Sequence, residues 1–89
     1  MEVVHGCCCG LDVHKRVVVA CLNTSGRGKQ THREVRSFST MTRGLLELGD
    51  WLAAAGCTHV AMESTGAYWK PIYNLLEVSF ELQIGRAHV

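Results

Sequence analysis

The stretch that most constrains the fold is residues 7–14, an apolar run with a single carboxylate, Asp12, set into it. A run of this length is too short for a typical helix and predicts a buried strand, with Asp12 near its C-terminal end. Aspartate is depleted in strands and is rarely buried without a partner, so its position indicates a use for the charge. The alternative is a carboxylate that caps a turn or pairs with Lys15 or Arg16.

Composition limits what the chain can be. With 89 residues, 47% hydrophobic and 19% charged, it has room for one domain and is typical of a globular protein. The net charge of +1 is no signature of a nucleic-acid-binding protein, so such a function must rest on local patches. The five cysteines form no C-x-x-C pair, which predicts a reduced, cytoplasmic chain. No apolar run is long enough to span a membrane, so we expect no membrane association.

Residues 17–22 and 34–39 predict two further strands, from their β-branched content and their period-two alternation, so the chain opens as a three-stranded meander. Residues 23–28 predict the turn between them. Residues 58–63 predict a fourth strand, and the helix before it allows this strand to run parallel to the first. The pattern predicts an α/β fold.

Two amphipathic helices are predicted. The first takes Thr40 as its N-cap and Gly56 as its left-handed C′ residue, and its apolar stripe comprises Leu45, Leu48, Leu52 and Ala55, widened by Leu46 and Trp51. Inside it, Gly44 and Gly49 should each cost about 1 kcal/mol relative to alanine. The second begins around residues 69–71 and buries Trp69, Ile72, Tyr73 and Leu76.

A second carboxylate, Glu63, ends the fourth strand as Asp12 ends the first. This topology places both at the edge of the sheet where open α/β sheets bind ligands. Two such charges repel unless a cation or a shared proton lies between them, and oxygen ligands favour Mg²⁺ or Mn²⁺. The pair predicts a catalytic metal site for two-metal phosphoryl transfer. Because Glu47 and Asp50 fall on the first helix, we expect only half of the ligands that two ions need.

Residues 10–15 (Gly-Leu-Asp-Val-His-Lys) and residues 62–71 (Met-Glu-Ser-Thr-Gly-Ala-Tyr-Trp-Lys-Pro) carry a more specific signal. Together with their surroundings, residues 10–81, they resemble the N-terminal domain of the DEDD transposases of insertion-sequence 110 type, which are related to the Piv DNA invertase. The resemblance implies an RNase H-like (RuvC-like) mixed sheet with helices on its faces. It also implies four acids that bind Mg²⁺ (or Mn²⁺) and act in DNA strand cleavage and transfer.

Asp12 matches the first acid of that family and Glu63 the second. The third and fourth acids and a C-terminal serine would follow residue 89, so we expect the sheet to be incomplete at its C-terminus and this chain alone to be inactive. The resemblance further implies DNA as partner, homo-oligomers, a guide RNA in some members and a cytoplasmic location in bacteria or archaea. Candidate nucleic-acid contacts are Lys15, Arg16, Arg27, Lys29, Arg33 and Tyr68.

Several alternatives remain open at this point. The cations of residues 27–36 are also typical of a solvated hairpin tip. Tyr68 is free to stack on bases, whereas Trp69 and Tyr73 have the spacing of core residues. The three adjacent cysteines with His5 and His14 could be a soft-metal cluster, but neighbouring residues of a strand point to opposite faces, which favours core cysteines.

Residues 83–89 depart from the family and match, in one reading frame, the translation of a sequencing adapter. We therefore expect a transposase domain over residues 1–82 and a non-native tail over 83–89. Two alternatives to a transposase remain. The chain is a fragment that is inactive or does not fold alone, or it belongs to the sugar-kinase and actin-like ATPases. The ATPases share the sheet and the opening aspartate but use a glycine- and threonine-rich turn where this chain has residues 14–16.

Overall fold

Strands and helices follow each other in the predicted order. The computed structural model describes residues 7–25, 31–64 and 66–86. The elements are β1 (Cys7–Val13), β2 (Val17–Ser25), β3 (Thr31–Ser39), α1 (Thr42–Ala54), β4 (His59–Ser64), α2 (Trp69–Leu76) and β5 (Glu81–Arg86). They form one five-stranded sheet in the order β3-β2-β1-β4-β5. β1, β2 and β3 are antiparallel neighbours, while β4 runs parallel to both β1 and β5. The predicted α/β mixed sheet is confirmed.

Side-chain alternation along β1 shows how the sheet is covered. Its odd-numbered residues, Cys7 to Val13, are at most 6% exposed, whereas Gly10 and Asp12 are exposed on the opposite face. The buried residues of α1 and α2 belong to the same core cluster as these odd-numbered residues. Both helices therefore pack on one face, and no element of the described chain covers the other. We call these the covered face and the open face.

The covered face holds the hydrophobic core. Its largest fully buried side chains are Leu48, Leu52, Met62, Ile72, Leu76, Val13, Val18 and Val60. Trp69 and Tyr73 pack against this cluster and against each other, with ring centroids 5.8 Å apart in an edge-to-face arrangement. Both side chains are partly buried, so the predicted packing on the core is found at its margin, whereas Ile72 and Leu76 are fully buried.

The start of α1 differs from the prediction. Its N-cap is Met41, which has no capping side chain. The hydroxyl of Thr40 instead donates to the carbonyl oxygen of Lys15, at 2.9 Å. Thr40 as N-cap is therefore wrong, because its hydroxyl is used in a tertiary contact. The predicted stripe is wrong at its margins as well, since Leu46 is 52% exposed and Ala55 is exposed.

The end of α1 is as predicted. Gly56 has a φ of +79°, in the left-handed region that favours glycine. Its N–H donates to the carbonyl of Ala53 at 3.1 Å, and the N–H of Cys57 donates to the carbonyl of Leu52 at 3.0 Å. This pair of bonds is a Schellman motif, which satisfies carbonyls that the helix end leaves without partners.

The β2–β3 hairpin is longer than the sequence predicts. Asn23, Thr24 and Ser25 were expected in a turn but continue β2, in register with Arg33, His32 and Thr31. Cross-strand pairing on both sides of β2 outweighs the turn preference of these residues, since Cys8 and Cys7 of β1 pair with Asn23 and Thr24.

β5 extends along the whole of β4, from the His59–Glu81 pair to the Ser64–Arg86 pair. Residues 83–86 of the suspected tail thus form the second half of this strand, and a boundary at residue 82 stays a prediction. No helix in the described chain is long and apolar enough to cross a membrane.

Candidate metal centre

Asp12 and Glu63 are direct partners in the parallel ladder between β1 and β4. Each is the last residue but one of its strand. In-register residues of neighbouring strands point to the same face, and such strands lie about 4.8 Å apart. Both carboxylates are therefore exposed side by side on the open face, near the C-terminal ends of their strands. The structure brings together the two acids that the sequence singles out.

Small side chains surround the two acids. Gly10, Cys21 and Ala61 line an open depression of about 410 Å³ together with Leu11, Asp12, Val19 and Glu63. On the β5 side Glu63 is paired with Gly85, where an added Cβ would lie 3.6 Å from the Glu63 Cγ. No side chain of β5 therefore stands between Glu63 and solvent at this position. The arrangement leaves room for a ligand above the carboxylates.

A second depression, of about 470 Å³, lies farther toward the N-terminal ends of β1 and β4. Cys8, His59 and Glu81 are among the residues that line it. It contains neither Asp12 nor Glu63. We place the candidate centre at the smaller depression, because a metal site is defined by its charged oxygen ligands and not by its volume.

His14 is the partner of Asp12. Its Nε2 lies 3.2 Å from Asp12 Oδ2, and the two side chains are 50% and 64% exposed. The pair is ionic when His14 is protonated, and such exposed pairs contribute at most about 1 kcal/mol. Sequence reasoning considered Lys15 and Arg16 as partners and missed His14. The available signal was its spacing, since residues i and i+2 of a strand point to the same side.

The predicted nucleic-acid contacts separate into two places. Lys15 and Arg16 form the turn after β1, and Tyr68, 43% exposed, follows β4 at the same edge. Arg33 pairs with Asn23 in the distal part of the hairpin, six residues or about 20 Å along β2 from Val17. Its Nε donates to Cys21 Sγ at 3.2 Å. Arg27 and Lys29 lie outside the described residues.

The cysteines divide between the faces. Cys7 and Cys9 are buried on the covered face, whereas Cys8 lies on the open face, so the three do not converge on one ion. Burial, followed by the nearby thiols, raises the pKa of Cys9 and of Cys57 to about 12. Among the residues that the structure describes, no three His, Cys, Asp or Glu side chains are grouped to hold a metal, and His5 is not one of these residues.

The sheet order and the parallel β4 and β5 define an RNase H-like fold, and solved structures share it. Fowlpox virus resolvase, solved in complex with Holliday junction DNA, aligns with a TM-score of 0.64 at 10% identity, covering 93% of this chain and 62% of the resolvase. An Aquifex aeolicus member of the Ppx/GppA family aligns with a TM-score of 0.54 at 9% identity, covering 90% of this chain and 35% of the other. At such identities the likeness concerns the fold alone.

Sequence similarity identifies the family within this fold. Residues 9–83 match the DEDD family of insertion-sequence 110 type, which is described as transposase. The chain belongs to this DEDD transposase family, as its motifs around Asp12 and Glu63 predict. A comparison with curated proteins finds no match. The chain spans about 62% of the length of the viral resolvase.

Proposed function

We propose that this chain is the N-terminal part of a transposase catalytic domain, and that Asp12 and Glu63 are catalytic ligands of Mg²⁺ or Mn²⁺ in DNA strand cleavage and transfer. The observation that carries the proposal is the in-register pairing of the two carboxylates on the open face. Membership of the transposase family supports the role in DNA recombination and, in general terms, the need for a divalent metal. In the cell we expect a cytoplasmic bacterial or archaeal protein.

The chemistry follows from the charges. Bound divalent metals would activate the attacking oxygen and stabilise the leaving oxygen of a phosphodiester. Asp12 and Glu63 supply two negative charges that hold and orient the cations, and parallel strands fix their spacing. His14 orients Asp12 through the 3.2 Å contact and has to share Oδ2 with any ion that binds there. The glycines and alanine around them leave the site open to a phosphate group.

Two carboxylates do not balance the four positive charges of two divalent ions. We therefore propose that this chain binds metal but does not cleave DNA alone, and that further acids complete the site in the full transposase. Homo-oligomer formation and the use of a guide RNA are proposals for that complete protein. No functional role is proposed for Arg86 or His88 of the predicted non-native tail, residues 83–89.

A sugar-kinase or actin-like ATPase function is the second candidate, because those ATPases share the sheet and the aspartate on the first strand. The β1–β2 turn argues against it. Residues 14–16 are His, Lys and Arg, and the turn is closed by the His14 N–H donating to the Val17 carbonyl at 2.9 Å. It has no glycine or threonine to bring backbone N–H groups close to a nucleotide phosphate. Measurable ATP binding by the chain would favour this candidate.

The proposal is tested by titrating the chain with Mg²⁺ or Mn²⁺ while following its thermal unfolding. A metal at ten times its dissociation constant stabilises the folded state by about 1.4 kcal/mol. We expect this shift in the unaltered chain and its loss in Asp12→Asn and in Glu63→Gln. Glu81→Gln is the matched control, because Glu81 is an exposed carboxylate on the same face at the far end of β5.

A shift that persists in both Asp12→Asn and Glu63→Gln would place the bound ions elsewhere and contradict the proposal. The absence of any shift up to tens of millimolar metal would show that the pair is not a metal site in this chain. Loss of the shift in Glu81→Gln alone would move the site to the second depression.

A further inference from the structure

The turn between β1 and β2 is attached to the connection between β3 and α1. Thr40 makes both bonds: its hydroxyl donates to the carbonyl of Lys15 at 2.9 Å, and its N–H donates to the carbonyl of Arg16 at 3.2 Å. The residue that the sequence assigns to capping α1 thus holds two consecutive carbonyls of a basic turn, one through its side chain and one through its backbone N–H. Because β1 and β3 run in the same direction, the turn and the connection lie at the same edge of the sheet as the two acids.

Three cations lie on the turn and just after the connection. Lys15 and Arg16 belong to the turn, Arg43 to the first turn of α1, and all three side chains are exposed. None of the three has an ion-pair partner within the described residues. The other arginines in the described part of the meander are engaged: Arg36 pairs with Glu34 at 3.4 Å and lies 5.0 Å from the ring centroid of Trp51, and Arg33 contacts Cys21.

These cations lie a short length of chain from Asp12 or from Thr40. Lys15 is three residues from Asp12, and Arg43 is three residues from Thr40, so each lies within roughly 11 Å of its reference residue, Cα to Cα. A phosphodiester that approaches two carboxylates is repelled, and neighbouring cations offset that repulsion. Unpaired lysine and arginine side chains are the groups that neutralise phosphates in sequence-independent DNA binding.

We propose that Lys15, Arg16 and Arg43, the edge cations, form one surface that binds the phosphate backbone of duplex DNA, and that Thr40 is the residue that positions it. The choice of DNA rests on the proposed function, whereas the surface itself rests on the contacts of Thr40 and the unpaired charges. Because Thr40 already holds the turn in place, less conformational entropy is lost on binding, and the free-energy penalty of ordering the turn is smaller. Thr40 acts through the turn and does not contact the phosphate itself.

Binding is measured by fluorescence anisotropy with a labelled 20-base-pair DNA duplex, in a chelator so that no metal contributes. Each phosphate contact adds about 0.9 to the slope of log affinity against log salt concentration. We expect Arg43→Gln to lower the magnitude of this slope by the amount that about one phosphate contact contributes. The double change Lys15→Gln, Arg16→Gln should lower it by the amount of about two contacts. Arg36→Gln is the matched control and should leave the slope unchanged.

Thr40 is tested by Thr40→Val, which keeps the shape but removes the hydroxyl, and by Thr40→Ser, which keeps the hydroxyl. We expect Thr40→Val to weaken DNA binding severalfold and Thr40→Ser to retain it. In the background that lacks Lys15 and Arg16, Thr40→Val should no longer affect affinity, although its effect on thermal stability persists. This double-mutant cycle distinguishes positioning of the turn from a general loss of stability.

Equal weakening by Arg36→Gln and Arg43→Gln would overturn the proposed surface, because binding would then follow net charge alone. An effect of Thr40→Val that is the same in both backgrounds would overturn its positioning role. Tighter binding of an RNA duplex of the same sequence would overturn the assignment to DNA. None of these outcomes depends on Asp12 or Glu63, so the edge cations and the metal centre can fail independently.

Discussion

The two faces of the sheet are built from the same strands but differ in the burial of their side chains. The covered face carries large side chains such as Met62 and Val18, both 0% exposed, beneath two helices. Next to the two candidate catalytic acids the open face carries the small residues Gly10, Ala61 and Gly85. Burial on one side provides the stability, and the small residues beside the acids on the other leave access to the site. The alternation of side chains along each strand therefore places the hydrophobic core and the candidate site on opposite faces of the sheet.

This separation also fixes the position of the acids. In β4, Val60, Met62 and Ser64 point to the covered face, so Glu63 must point to the open one. A shift of one residue would place Glu63 in the core and expose Met62, which would cost both desolvation of a charge and loss of apolar burial. The hydrophobic residues of β1 and β4 therefore determine where the carboxylates meet.

The largest effect is expected from Leu48→Ala on the covered face. Leu48 is 0% exposed at the centre of α1, and truncation of such a leucine costs about 2–5 kcal/mol, since it removes apolar contacts and leaves a cavity. The free energy of unfolding is measured by urea denaturation in the presence of a chelator. Asp12→Asn is the control from the open face and should change it by less than about 0.5 kcal/mol. Comparable losses in the two variants would show that the open face is packed as well.

The next effect concerns the two buried thiols and pH. Burial raises the pKa of Cys9 and Cys57 from 9.0 to about 12, so above pH 9 these thiols ionise in the unfolded chain and stay protonated in the folded one. The unfolded state then binds fewer protons, and each thiol lowers the stability by about 1.4 kcal/mol per pH unit. The contribution is fully present below pH 9 and is lost as the pH rises toward 12.

Urea denaturation under reducing conditions between pH 7 and 10 measures this fall. The variant with both Cys9→Ala and Cys57→Ala should lose stability less steeply over this range, each variant being referred to its own value at pH 7. An identical slope with and without these cysteines would show that the decline comes from other groups and that the thiols are not shielded on the covered face.

Much of this fold can be predicted from local patterns. A short apolar run gives β1, a β-branched run gives β2, the leucines of α1 recur at helical spacing, and Gly56 ends that helix as expected. The placement of Asp12 beside Glu63 follows from strand direction and the intervening helix. In each case the signal lies in a few consecutive residues. The side chains of the covered face are apolar, and this pattern of apolar residues predicts the element.

What the sequence did not reveal depends on tertiary contacts. Thr40 has the composition of an N-cap, but the carbonyls of Lys15 and Arg16 come within reach only once the meander has formed. His14 is the exception, because its spacing from Asp12 along the extended end of β1 is a local signal. That both helices pack on one face is likewise a property of the whole chain, since each apolar stripe is compatible with either face.

The smallest effects compare two glycines, one beside each face. At Gly44, near the start of α1, an added Cβ would overlap the carbonyl oxygen and the Cβ of Ser39, so the glycine is required by close approach. From helix propensity alone, Gly44 is predicted to destabilise the helix by about 1 kcal/mol relative to alanine. At Gly10, on the open face, an added Cβ would meet no atom within 4 Å.

Gly44→Ala is therefore expected to lower the free energy of unfolding by about 1–3 kcal/mol through overpacking, despite its better helix propensity. Gly10→Ala should raise it by about 0.5 kcal/mol, because alanine restricts the unfolded chain more than glycine does. Urea denaturation of both variants in a chelator gives the two values. Stabilisation by Gly44→Ala would mean that α1 can move away from β3, and destabilisation by Gly10→Ala would mean that the open face is covered where the described strands leave it bare.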